Sequence, residues 1–94
     1  MVDSLGATHE LKSWPEFFEP TLRGEKTHDV RRSDDRHFAV GDRLRLREFD
    51  PRTERYSGRE CIVEVTYITS AKMPCAYFDA AVDARFCILS ICVV

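Results

Sequence analysis

The chain has 94 residues, of which 44% are hydrophobic and 32% charged, and its formal net charge at pH 7 is −2. This length fits a single domain over residues 1–94 with a modest core, and the composition excludes a wholly disordered chain. The net charge gives no sign of a strongly basic nucleic-acid-binding protein. No apolar run approaches the roughly 18 residues of a membrane span, and the N-terminus lacks the pattern of a secretion signal. We therefore expect a cytoplasmic protein.

The first elements in chain order are a strand and a helix. Residues 9–12 (HELK) alternate in polarity as a short strand does. Ser13 and Glu16 have capping-box spacing, and Pro15 suits the first turn of a helix. Together these signals predict a helix over residues 14–23.

The predicted helix has one apolar face and two breaking signals. Gly24 is a typical helix end. Pro20 removes a helix hydrogen bond and predicts a kink or a break. Positions spaced by three and four residues along one face predict packing in the core. They are Trp14, Phe17, Phe18, Thr21 and Leu22.

From Lys26 onward the apolar period changes from 3.6 to two residues. Residues 27–32 predict a strand, and residues 40–42 predict a turn. In the next strand Leu44 and Leu46 alternate with Arg43, Arg45 and Arg47. The three arginines predict a solvated face, with a phosphate-tracking stripe as the alternative. Glu48 is in phase with the leucines, so we expect it to point inward and pair with an arginine.

The C-terminal half predicts two more strands. Residues 51–58 indicate a polar hairpin loop, after which Cys61, Val63, Val65 and Tyr67 share one strand face. Residues 70–84 predict a loop with a helical turn at 78–84. Residues 86–93 are apolar on both faces, which is typical of a strand in the centre of a sheet or buried on both sides.

These elements predict a mainly β fold of the α+β class. It is a small, partly closed β-barrel of five or six strands, with one helix inserted after the first strand and covering one opening of the barrel.

Several stretches together resemble a known family. They are HELKSWPEFFEPTLRGEKTHDVRR (9–32), FAVGDRLRLREFDP (38–51) and YSGRECIVEVTYI (56–68). They strongly resemble domain-of-unknown-function family 3850, a small bacterial and phage family placed in the ASCH/PUA-like superfamily. The resemblance covers residues 8–68 and the final strand, and it implies a PUA-like (ASCH-type) barrel whose ligand is RNA or a nucleotide.

The resemblance also suggests an enzymatic alternative. Some ASCH proteins hydrolyse the acetyl amide of acetylated cytidine with a Lys in a Gly-x-Lys motif, a Thr three residues later and a distant Glu. Lys26 matches the Lys, but Asp29 stands in the position of the Thr, and residues 70–84 contain no convincing match for the Glu. The sequence therefore favours binding over amidohydrolysis. A third hypothesis is a protein-interaction module of a phage or mobile element.

The junction GEKTHDVRR (24–32) carries the candidate ligand-binding residues. Lys26 follows the predicted helix end, and Asp29 and Arg31 are two apart on a strand and so share a face. We expect all three to line one pocket at the barrel mouth, with Lys12 and His9 near its rim. Lys26 and Arg31 suit phosphate, and Asp29 suits a base amine.

The four cysteines give no sign of a metal site. Cys61, Cys75, Cys87 and Cys92 form no CxxC pair, and no His lies at zinc-finger spacing from them. We expect reduced thiols, no metal and no cofactor.

Overall fold

A computed structural model describes residues 6–94, which form one five-stranded sheet and two helices. The elements are β1 (Thr8–Ser13), α1 (Pro15–Leu22), β2 (His28–Arg32), β3 (Arg43–Asp50), β4 (Arg55–Thr69), α2 (Phe78–Ala81) and β5 (Phe86–Val93). The sheet order is β1-β3-β4-β5-β2. The β1–β3 pair is parallel and the other pairs are antiparallel. The sheet curls into a half-barrel, so the predicted mainly β class and the five strands are confirmed.

The core lies on the concave face of the curled sheet. Leu44 and Leu46 of β3 pair with Val63 and Cys61 of β4, and each of the four is at most 5% exposed. Phe18 of α1 is fully buried in the same cluster. The helix after the first strand therefore closes the core with a single large side chain.

The helix runs through Pro20 as one element. The sequence predicted a kink or a break there, but α1 continues to Leu22. Because the helix is so short, Pro20 costs it a single hydrogen bond, the one from the N–H of position 20 to the carbonyl of residue 16. The carbonyl of Pro20 instead accepts the backbone N–H groups of Glu25 and Lys26, at 2.9 and 3.0 Å. These bonds turn the chain back at Gly24, whose φ is +78°.

A β-bulge places Tyr67 on the face opposite to the predicted one. The sequence placed Tyr67 on the same face as Val65. The pairing of β4 with β5 shifts between these residues, so the alternation of faces reverses. Tyr67 is half exposed, and Ile68 packs against the core instead.

The two C-terminal strands differ in detail from the predicted ones. β4 begins at Arg55, so the predicted loop 51–58 is confined to residues 51–54. β5 lies between β4 and β2, which confirms its central place. Only its alternate residues Cys87, Leu89 and Ile91 are buried, so its second face is not a core face. Among the described residues, no helix is long and apolar enough to cross a membrane.

The cysteines divide into a buried and an exposed pair. Cys61 and Cys87 are buried, whereas Cys75 and Cys92 are exposed, and all four are free. Burial raises the pKa of both buried thiols. Because the thiolate is the reactive form, iodoacetamide should modify Cys75 and Cys92 of the native protein well before Cys61 and Cys87.

Mass spectrometry of the alkylated protein checks this prediction. Under denaturing, non-reducing conditions we expect four modified cysteines. Fewer modifications, with a loss of two mass units per missing pair, would show a disulfide.

Candidate functional site

A well-formed cavity lies in the seam where the curled sheet remains open. β1 and β2 are the two edge strands of the sheet, and the curl brings them to face each other. The cavity measures about 400 Å³. We call it the seam cavity. The residues that line it are Lys12, Ser13, Trp14, Phe17, Lys26, His28, Asp29, Val30 and Arg31. Across the seam, Arg31 Nη2 donates a hydrogen bond to the carbonyl oxygen of Lys12 at 2.9 Å.

Residues of the junction 24–32 form a charged wall of the seam cavity. Asp29 Oδ2 accepts a hydrogen bond from Arg31 Nε at 2.7 Å, and Asp29 Oδ1 lies 3.6 Å from Lys26 Nζ. Lys26 Nζ also donates to the carbonyl oxygen of His28 at 2.6 Å. All three charged side chains are mostly covered but still reach solvent. The wall therefore presents two cations held around one carboxylate.

Another part of the lining is an aromatic wall, Trp14 and Phe17, which the sequence did not predict. Trp14 and Phe17 are 45% and 46% exposed, whereas Phe18 is fully buried. Their rings stack with centroids 5.8 Å apart and planes 21° apart. Lys26 Nζ lies 5.9 Å from the Phe17 ring centroid.

The expectation that Trp14 and Phe17 pack in the core is therefore wrong, for a local reason. Trp14 is not part of the helical turn: it is the N-cap, with an extended backbone at φ −67° and ψ 151°. The residue before a proline is biased to this conformation, so Pro15 was the signal that could have found it. A helix of eight residues buries a narrow stripe, and Phe18 and Thr21 fill it.

Of the five predicted binding residues, four line the seam cavity and His9 does not. Lys12 also reaches beyond the cavity, with Nζ 4.3 Å from the ring centroid of Phe49. His9 Nε2 lies 2.8 Å from Asp42 Oδ2, and its ring packs 4.7 Å from that of Phe38. His9 thus belongs to a structural cluster that joins β1 to the turn before β3.

Asp42 is the centre of that cluster. The backbone N–H groups of Ala7 and Ala39 donate hydrogen bonds to its carboxylate at 3.0 and 2.9 Å. His9 contacts the same carboxylate. Burial raises the pKa of the Asp42 carboxyl, but the bonds from His9, Ala39 and Ala7 together outweigh it and hold the pKa below its usual value. Any side chain at Gly6 would collide with it, because a Cβ there would lie 2.1 Å from Oδ1.

Because of this cluster, the free energy of unfolding should depend on pH in the acid range. Because the folded state lowers the pKa of Asp42, its contribution to the free energy of unfolding is complete above the unfolded-state pKa of about 3.9. That contribution is lost as pH falls through the lower folded-state value. Asp42→Asn should destabilise the protein at pH 7 by about 1–3 kcal/mol.

Urea denaturation at several pH values measures this effect. The wild-type advantage over Asp42→Asn should shrink as pH falls below 4. An advantage that stays constant down to pH 2 would contradict it.

Glu48 confirms the prediction that it points inward and pairs with an arginine. It is 7% exposed and accepts hydrogen bonds from Arg59 Nε at 3.0 Å and from Ser57 Oγ at 2.7 Å. Arg59, then Ser57, lowers the pKa of the Glu48 carboxyl against the opposing effect of burial. Arg59 also binds Glu19 of α1. This chain of contacts ties the helix to β3 and β4.

The arginines of β3 form a paired outer face. Arg45 contacts Glu10 and Glu60, at 3.2 and 3.8 Å, and Arg43 lies 3.8 Å from Glu64. These contacts support the solvated-face interpretation over a free phosphate-tracking stripe. Among residues 6–94, no group of three His, Cys, Asp or Glu side chains is placed to hold a metal ion.

Comparison with known proteins identifies the family but no activity. The model of a family described as a domain of unknown function, DUF3850, matches residues 8–91. No curated protein matches the chain. The matched segment includes every strand and both helices except the last two residues of β5. The chain therefore belongs to the DUF3850 family.

Proposed function

We propose that this protein is a PUA-like domain that binds RNA or a nucleotide in the seam cavity. The observation that supports it most is the exposed, stacked Trp14–Phe17 pair, which lines the same cavity as Lys26, Asp29 and Arg31. A domain with a small core loses stability by leaving two large aromatic rings half exposed. A ligand with a flat ring would cover them.

The two walls match the two chemical halves of a nucleotide. Stacking on an aromatic ring holds any base, and Lys26 and Arg31 donate to phosphate oxygens. Asp29 accepts hydrogen bonds from an exocyclic amine of the base. Lys12 adds a third cation at the rim, which leaves the wall and rim with more positive than negative side chains. RNA is the favoured form because single-stranded bases are free to unstack into such a cavity.

An NMR titration with nucleotides and short RNAs at two salt concentrations tests the proposal. The amides of residues 26–31 should shift on addition of ligand, and the affinity should fall as salt rises because phosphate binding releases counterions. Lys26→Ala or Arg31→Ala should weaken binding while the protein remains folded. If no ligand shifts these amides, or if Lys26→Ala binds as well as wild type, residues 24–32 are a solvated turn and the proposal fails.

The same geometry predicts no hydrolysis of acetylated cytidine. Asp29 stands where the amidohydrolases have Thr. Lys26 Nζ donates to the His28 carbonyl oxygen at 2.6 Å and lies 3.6 Å from Asp29 Oδ1, so two acceptors already engage the group that would have to act on the amide. Chromatography of acetylated cytidine incubated with the protein should show no cytidine. Release of cytidine that Lys26→Ala abolishes would establish the enzyme instead.

A further inference from the structure

A second aromatic pair lies outside the seam cavity, on the outer face of the sheet. Phe49 of β3 and Tyr56 of β4 are paired across the two strands, with ring centroids 5.0 Å apart in an edge-to-face arrangement. Tyr56 is 43% exposed. We call these two residues the outer aromatic pair.

Lysine and arginine side chains lie over both rings of this pair. Lys12 Nζ is 4.3 Å from the Phe49 centroid, and Arg47 Cζ is 4.1 Å from the Tyr56 centroid. A cation over an aromatic face is a favourable contact that leaves the charge accessible to anions. Arg47 also contacts Glu60 at 3.3 Å and Glu10 at 4.0 Å, so its charge is shared with two carboxylates.

Two observations place the outer aromatic pair next to the seam cavity. Lys12 lines the seam cavity and also lies over Phe49. Tyr56 borders a shallow cavity of about 250 Å³ that Pro15, the neighbour of Trp14, also lines. The corner formed by Trp14 and Pro15 therefore separates two adjacent sites, each with exposed aromatic surface.

We propose that the ligand is a single-stranded oligonucleotide of at least two nucleotides, with one base in the seam cavity and a neighbouring base on Tyr56. This inference rests on the proposed function and deepens it by excluding a mononucleotide as the full ligand. Alternating aromatic rings and cations form the surface on which successive bases of a single strand stack, with the backbone alongside Lys and Arg.

The charges near Tyr56 decide which part of the nucleotide lies there. Glu48 and Asp50 line the shallow cavity. Arg59 pairs with Glu48 and Arg52 pairs with Asp50, but the two carboxylates still disfavour a phosphate there. The base therefore occupies the shallow cavity. The linking phosphate lies over the β1 edge beside Lys12, where no carboxylate of residues 6–94 forms a salt bridge with the Lys12 side chain.

A comparison of cytidine 5′-monophosphate with tetraribonucleotides of each base tests the inference. Tetranucleotides should bind wild type more tightly than the mononucleotide does. Tyr56→Ala should weaken tetranucleotide binding by about 5- to 100-fold, the effect of losing one stacking ring, and should leave mononucleotide binding within about twofold. Tyr56→Phe keeps the ring and should bind like wild type.

NMR of the wild-type protein provides a readout that does not depend on a folded variant. Tetranucleotides, but not the mononucleotide, should shift the amides of Phe49 and Tyr56. If both ligands shift only the seam cavity, or if Tyr56→Ala binds both like wild type, this inference is overturned while the proposed function stands. If neither ligand binds, both are overturned.

Discussion

Phe18→Ala should destabilise the protein by about 3–5 kcal/mol. The Phe18 ring is fully buried in the core cluster, and it is the large apolar side chain through which α1 closes the concave face of the sheet. Alanine would leave a cavity beneath a helix of only eight residues, which has few other contacts to hold it on the sheet. In a domain of 94 residues, such a loss is a large part of a total stability of about 5–15 kcal/mol.

The neighbouring phenylalanine is a matched control for this measurement. Phe17 belongs to the same helix but is 46% exposed, so Phe17→Ala should cost about 1 kcal/mol or less. Urea denaturation followed by far-UV circular dichroism gives both values. Equal losses for the two variants would show that α1 does not close the core through Phe18.

Trp14→Ala should weaken binding of single-stranded RNA by about 1–3 kcal/mol, the value of one base stacked on an aromatic ring. Its stability should change little, because the ring is 45% exposed and Trp14 caps the helix through its backbone rather than its side chain. Isothermal titration calorimetry measures the affinity.

Tyr77→Ala is the matched control for binding. Tyr77 is 79% exposed and does not line the seam cavity, so its removal should leave affinity unchanged. If Trp14→Ala binds as tightly as Tyr77→Ala, the aromatic wall does not hold a base.

The regular strands could be predicted from the sequence because their periodicity is local. Leu44, Leu46 and Glu48 follow a period of two and all point inward, and the partner of Glu48 was predicted to be an arginine. A buried carboxylate needs a cation, so its neighbourhood follows from the chemistry of one residue. The proximity of Asp29 and Arg31 likewise followed from spacing alone, because residues two apart on a strand share a face, and Arg31 Nε lies 2.7 Å from Asp29 Oδ2.

The errors arose where the local period is interrupted. The bulge after Val65 adds one residue to β4 and reverses the face of Tyr67. No residue type in that segment marks a bulge, and it depends on pairing with β5. Trp14 was assigned to the helix face by spacing, although Pro15 forces an extended backbone before it.

The sequence indicated most of the charged residues of the cavity but not the seam between β1 and β2 in which they lie. The seam exists because β1 and β2 occupy opposite edges of the sheet, and sheet order is a property of long-range pairing. His9 and Lys12 lie on the same short strand, yet His9 packs against Asp42 and Lys12 reaches the seam cavity. The sequence predicted both residues near the rim and did not show which of them reaches the cavity.

The fluorescence of Trp14 tests the central claim most directly. Trp14 is the single tryptophan of the chain, and it forms part of the aromatic wall of the seam cavity. Titration with single-stranded RNA should quench its emission in a saturable way, at a ligand concentration that rises with salt, and Arg31→Ala should shift the curve to higher concentration. Emission that stays unchanged through the titration, with RNA and with nucleotides alike, would contradict the assignment of the seam cavity as the binding site.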